Sequence, residues 1–179
     1  MVDPNAKRII ENSFRDAMSL LKMSAETIQF QYEPIGGRFK TMENSMETNP
    51  TTVFVNENWA NECILNYQFD LFFLPAHEAR HQYQKLQIEK FCKGLQTNED
   101  PELIQSWINN NKDYKRNEGP ESFPAYITQP VEVDANAFAN FYVMLRNIGQ
   151  PRMSKESDIL ETQRLMEIAK QFGAVISGE

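Results

Sequence analysis

Apolar side chains recur at helical spacing from Ala6 to Met23 (Ile9, Ile10, Phe14, Met18, Leu21), and Asp3 followed by Pro4 supplies an N-cap and a first helical position. From Thr27 to Tyr32 the pattern changes to strand-like alternation, which Pro34-Ile35-Gly36-Gly37 punctuates. Arg38 to Met42 reads as a returning second strand, and the β-branched run Thr51 to Val55 is the clearest strand of the chain. Helices follow from about Trp59 to Tyr67 and from about Asp70 to Phe91, the latter ending near Gly94. A polar turn at Asn98-Glu99-Asp100-Pro101 leads to a short helix near Leu103 to Asn109, then a long polar loop to Pro124. A further helix is predicted from Thr128, with Pro130 in its first turn, to Gly149, and a last one from the N-cap Ser154 to Gly173. The order is helix, small sheet, then helices. It predicts an α+β fold with a mostly antiparallel sheet.

A length of 179 residues suits one well-buried core, so a single domain over 1–179 is expected. The formal net charge of -7 and the lack of any basic block argue against a nucleic-acid partner, since phosphate binding needs a basic face. The N-terminus has no apolar signal region, and the longest apolar run, Leu71-Phe72-Phe73-Leu74, is far below membrane-spanning length. A cytoplasmic protein without a membrane partner is the expectation. Cys63 and Cys92 lack CxxC spacing and read as two reduced, buried thiols.

The chemistry concentrates in His77-Glu78-Ala79-Arg80-His81. On a helix, positions i and i+4 share a face, so both imidazoles can reach one ion. Glu78 lies beside that face, where a carboxylate can take a proton from a metal-activated water. His77 and His81 are the only histidines in the chain. Two histidines placed at random fall four apart with odds of about one in ninety, and a following Glu lowers this to roughly one in a thousand. The competing reading is two solvated histidines on an amphipathic helix, and the apolar approach Leu71 to Leu74 argues against it.

A catalytic zinc needs a third protein ligand and an open position. With no third histidine, the ligand must be a carboxylate or, as the weaker alternative, a cysteine, and Pro130 to Ala139 supplies the best carboxylate. On a helix Glu132, Ala135, Asn136 and Ala139 share a face, the two alanines permitting close approach to the histidine-bearing helix. Asn136, one turn beyond Glu132, is placed to bond the non-coordinating nitrogen of a ligand histidine. Asp134 lies roughly 200° around the helix from Glu132 and is expected to point away.

HExxH followed by a helix reading E-x-x-A-(D/N)-x-(F/small)-A resembles the gluzincin clan of zinc metallopeptidases, especially its small ImmA/IrrE-like members. The resemblance rests on two motifs covering about a tenth of the chain. It implies a zincin-like fold with Zn2+ held by His77, His81 and Glu132, Glu78 as catalytic base, and Asn136 as orienter of a ligand. Two departures stand out. Asn136 replaces the commoner Asp, and no downstream histidine is available to stabilise an oxyanion.

A tyrosine or arginine must then serve that role, and Tyr126, upstream of Glu132, is the leading candidate beside Tyr83, Tyr142 and Arg80. Each tyrosine is otherwise a packed side chain with a satisfied hydroxyl. Gln84 shares the histidine face and reads as cleft lining. Glu99 and Asp100, about nineteen residues after His81, are the alternative third ligands, although they sit before Pro101 as helix caps do. The expected function is a zinc endopeptidase acting on a polypeptide, with Thr51 to Val55 as an edge strand that holds substrate. The alternative is a zincin-fold binding or regulatory protein with little or no hydrolysis.

Overall fold

A computed structural model describes residues 1–174; residues 175–179 of the expected domain lie outside the described residues. Asp3 starts the first helix, α1 (Pro4–Leu20), its carboxylate accepting from the backbone N–H groups of Asn5 and Ala6 at 2.8 and 3.1 Å. Pro4 at the first helical position forgoes an N–H that would have no helical partner there. The apolar spacing becomes a buried stripe of Ala6, Ile10, Phe14, Ala17 and Met18, laid against the third helix.

Three strands follow: β1 (Gln29–Glu33), β2 (Met46–Thr48) and β3 (Thr52–Asn56), in the order β1-β3-β2. β3 pairs in parallel with β1 (Gln31 opposite Phe54) and antiparallel with β2 (Glu47 opposite Phe54). The sheet is therefore mixed rather than mostly antiparallel. Parallel neighbours require the chain to return between them, and β2 forms within that return. The second strand is not Arg38 to Met42. The Asn56 amide donates to the carbonyls of Thr41 and Asn44, tying that segment down as a loop, while Phe39 is buried. All five residues of β3 are buried, as its central place demands.

Asn56 then caps α2 (Glu57–Asn66), accepting from the N–H groups of Asn58 and Trp59. The longest helix, α3 (Asp70–Cys92), carries the two histidines. Asp100 caps α4 (Pro101–Lys112), a short α5 (Phe123–Ile127) follows the polar loop, and α6 (Pro130–Leu145) and α7 (Asp158–Gln171) complete seven helices among the described residues. α6 begins at Pro130, with Gln129 before it, and ends short of Gly149. α7 starts beyond Ser154, whose hydroxyl is engaged with that of Ser157 at 2.8 Å. Cys63 is buried, but Cys92, at the end of α3, is exposed; both thiols are free. No helix among the described residues is long and apolar enough to cross a membrane.

Every residue of α6 from Val131 to Val143 is buried, with α3 on one side and α7 on another. Ala135, Ala137 and Ala139 are fully enclosed, since small side chains let a helix be surrounded without voids. A helix buried all round has no solvent side on which to place Asp134. The carboxylate does turn from Glu132, but into a second buried polar layer. It accepts from Arg80 Nε (2.8 Å) and Nη2 (2.9 Å), from Arg164 Nε (2.7 Å) and from Gln84 Nε2 (2.7 Å). Glu99 closes the network, accepting from Arg80 at 2.8 Å and Arg164 at 3.0 Å. The two carboxylates and two guanidiniums join α3, α6, α7 and the turn before α4.

Charges this deeply buried are tolerated only in each other's company. Asp134→Ala should cost about 3–5 kcal/mol, because two guanidiniums lose a shared partner. Denaturant titration measures it. Burial alone would raise the Asp134 carboxyl, but Arg80 and Arg164 outweigh it and hold it at about 2. The folded value lies below the unfolded value of about 4, so its stabilisation is present above pH 4 and is lost as pH falls toward 2. The stability gap between wild type and Asp134→Ala should shrink over that range. A gap that stays constant would place its origin elsewhere.

Candidate metal centre

α3 presents His77 and His81 one turn apart, their rings edge-to-face at 88° with Nε2 atoms 2.9 Å from each other. The first turn of α6 brings in Glu132, whose Oε2 is 3.5 Å from His77 Nε2 and whose Oε1 is 3.6 Å from His81 Nε2. The three groups offer ligand atoms within 4.8 Å of one another, with only Glu132 coming from a distant part of the sequence. His77 and Glu132 are buried and His81 nearly so.

The outer nitrogens of the two rings determine what the inner ones can do. His77 Nδ1 meets Asn136 Oδ1 at 2.8 Å, and His81 Nδ1 meets Gln84 Oε1 at 2.8 Å. Each amide has acceptors behind its nitrogen, close ones for Gln84 and a longer contact for Asn136. Gln84 Nε2 donates to the Val131 carbonyl (2.9 Å) and Asp134, and Asn136 Nδ2 faces Glu161 Oε1 at 3.4 Å. With amide oxygens toward the rings, each Nδ1 carries its hydrogen and donates, leaving a lone pair on each Nε2. Two lone pairs thus face each other at 2.9 Å, and the buried Glu132 Oε2 beside them has no hydrogen-bond partner among the described residues. Such a convergence is repulsive unless a cation stands in it. This donor set fits a metal ion.

Titration behaviour reflects the same crowding. Burial and His81 push His77 down to about 4, so it stays neutral. Burial also opposes a charge on His81, but Glu132 and Glu78 outweigh it and lift His81 to about 9. Glu132, despite its burial, is held at about 2 by His81 and His77. The two rings together thus favour a single proton between them beside the Glu132 carboxylate, a place that a metal ion would take over.

Glu78 is half-buried beside the triad, its Oε2 accepting from the Thr48 hydroxyl of β2 at 3.1 Å. Burial pushes its carboxyl up, with His81 and Thr48 opposing. A residue that the sequence pattern does not single out completes the wall: Tyr114, from the polar loop after α4, donates its hydroxyl to Glu132 Oε1 at 2.7 Å. Tyr126 stands edge-on to Tyr114, centroids 6.3 Å apart and planes at 88°. Burial and the Glu132 charge push both phenols up, so both keep their protons and act as donors.

Other candidates fall elsewhere. Arg80 is 1% exposed and spends its donors on Asp134 and Glu99. Tyr83 lies under the Arg80 guanidinium at 4.4 Å, and Tyr142 is buried beside Ser13 and Asp16. Glu99 is consumed by Arg80, Arg164 and Gln171, and Asp100 caps α4, so neither is a ligand to this centre. Gln84 does more than line the cleft, and its spacing of i+3 from His81 was the available signal. Nothing in a loop sequence marks Tyr114, whose approach depends on tertiary packing. Comparisons with protein-family models, curated proteins and solved structures give no match for this chain.

The centre should bind one divalent metal ion per chain, measured by equilibrium dialysis with elemental analysis. His81→Ala should abolish this, and Gln84→Ala should weaken affinity about 10- to 100-fold by freeing the His81 ring. Full occupancy in His81→Ala would place the ion at another site.

Proposed function

We propose that this chain is a zinc-dependent hydrolase of the gluzincin kind that cleaves polypeptides, with Glu78 as general base. The observation that carries the reading is the convergence of two histidine lone pairs and an unpartnered buried carboxylate oxygen beside a second carboxylate that no ligand role occupies. Zinc suits the donor set: ligand atoms about 2.0–2.1 Å from a tetrahedral ion lie about 3.3 Å apart. The separations here, 2.9, 3.5 and 3.6 Å, straddle that value. Two imidazoles and one carboxylate leave the fourth position for water or substrate, the arrangement of catalytic rather than structural zinc. HExxH on α3 and E-x-x-A-N on α6 support the same family likeness.

Zinc, when bound, supplies a Lewis acid that polarises a carbonyl and acidifies a water. The remaining work belongs to the chain. Glu78, its carboxyl raised by burial and steadied by Thr48, takes the proton of the attacking water and delivers it to the leaving amine. Tyr126, a neutral donor near Glu132, is assigned to the oxyanion that develops on the scissile carbonyl. Tyr114 holds Glu132 Oε1, orienting the carboxylate.

The strand that would hold substrate is β2. Thr51 to Val55 falls on the central strand, whose two sides are taken by β1 and β2. β2 is an edge strand, and Thr48 joins it to Glu78, so an extended peptide paired there would run past the general base.

Glu78→Gln preserves shape but removes the proton acceptor. Zinc content and thermal stability should remain near wild type, while cleavage across a broad set of unfolded polypeptides falls about 10²-fold or more. Equal cleavage by the variant would overturn the mechanism. If both proteins hold zinc and neither cleaves, a zinc-dependent binding or regulatory protein is the better reading. Among the tyrosines, Tyr126→Phe should lower kcat by about 10²-fold with zinc affinity retained. Tyr114→Phe should instead weaken zinc.

A further inference from the structure

The histidine-orienting amides are themselves oriented, and on each side a buried carboxylate does it. On one side the order is His81, Gln84, Asp134; on the other it is His77, Asn136, Glu161. Asp134 also belongs to the ion network, whereas Glu161, in the first turn of α7, is held by neutral donors alone. It comes from α7, is 1% exposed, and forms no ion pair among the described residues. Its side-chain partners are all donors or can be: Ser157 Oγ and Asn136 Nδ2 at Oε1, and Asn140 Nδ2 at Oε2. An unpaired buried carboxylate is costly, so its place behind Asn136 calls for a reason.

We propose that Glu161 is a positioning residue that selects the tautomer of His77 through Asn136, and so makes Nε2 available to metal; the inference rests on the metal-centre reading above. An amide has two nearly isosteric orientations, and only one lets His77 donate from Nδ1. The flipped orientation would present an NH2 to His77 Nδ1, move the ring hydrogen to Nε2, and close that nitrogen to a metal. It would also set a carbonyl oxygen 3.4 Å from the Glu161 carboxylate, acceptor against acceptor. Glu161 thereby excludes the flip. The negative charge that the commoner Asp would place directly on the histidine sits here one amide farther out.

Asn140 makes the selection one-sided. Its own amide cannot turn, because Oδ1 accepts from the Arg152 N–H at 2.8 Å and Nδ2 donates to the Arg152 carbonyl at 3.1 Å. In Glu161→Gln the new NH2 therefore cannot face Asn140 without setting donor against donor. It must take the Oε1 position, where the Ser157 hydroxyl can rotate to accept and Asn136 satisfies it only by flipping. Asn136→Asp removes the choice: a carboxylate accepts from His77 on one side and from the new amide on the other.

The test uses the metal-free full chain and zinc as the probe. Long-range nitrogen-15 spectra of the histidine rings should show His77 as the Nδ1–H tautomer in wild type and shifted to Nε2–H in Glu161→Gln. Zinc affinity, by competition with a chromogenic chelator, should fall about 10- to 100-fold in Glu161→Gln. Adding Asn136→Asp to Glu161→Gln should restore both the Nδ1–H tautomer and most of the affinity, a rescue that a packing role would not give. An unchanged His77 tautomer in Glu161→Gln, with or without a loss of thermal stability, overturns the proposal. Should Glu161→Gln fail to fold, the double variant decides: an Nε2–H tautomer there overturns it, and an Nδ1–H tautomer with near-wild-type zinc affinity supports it. Wild type that takes up no zinc would count against the metal centre itself, while the ring tautomers of the metal-free protein still decide the role of Glu161.

Discussion

With no cation between them, two imidazole nitrogens and a carboxylate oxygen aimed at one buried point repel one another, and the surrounding structure is arranged to hold them there. α3 supplies the rings and α6 the carboxylate, and the alanines of α6 let the two helices lie close enough for Nε2 and Oε2 atoms to meet within 4.8 Å. The repulsion is opposed from outside: each ring donates to an amide, and each amide is held by a carboxylate. Such layered support places the candidate metal site on helices rather than loops, where side-chain rotamers are limited by packing.

The support draws on an unusually polar interior. Arg80, Asp134, Glu99 and Arg164 form a buried ion network on the side of α6 turned from the site, and Gln84 connects it to His81. A network of this kind seldom stabilises a fold more than apolar packing would. Its value here is positional. It ties Asp134 of α6 to Arg80 of α3 on the face turned from Glu132. It also binds α7, the source of Glu161, to the same two helices.

The proposed chemistry divides the surroundings of the triad into unequal halves. The side facing α6 and α7 is buried, and the amides behind the two histidines have their own acceptors there, which suits groups that must not move. The side facing β2 and the tyrosine loop carries Glu78 with one hydrogen bond, the half-buried Tyr126, and an edge strand. Groups that exchange protons and meet substrate belong on that side, since a general base must approach water and an oxyanion donor must have a free hydrogen. That the helices of the rigid side also carry the ion network, while the open side is strand and loop, gives the division its physical basis.

What the sequence by itself determined is local. Asp3, Asn56 and Asp100 cap helices, the apolar stripe of α1 is legible from its spacing, and His77, Glu78 and His81 fall on one turn because helical geometry is the same in any context. Glu132 and Asn136 were legible for the same reason, as two positions a turn apart on one helix. The direction of the sheet was not: β1 and β3 are parallel, and the segment expected to be the second strand is held as a loop by Asn56. The approach of Tyr114 to Glu132, the engagement of Arg80 by Asp134 and Glu99, and the place of Glu161 behind Asn136 were decided by tertiary structure alone. Each joins residues from different elements. Periodicity tells which face of a helix a residue occupies, but which helix lies against that face is settled only when the whole core packs.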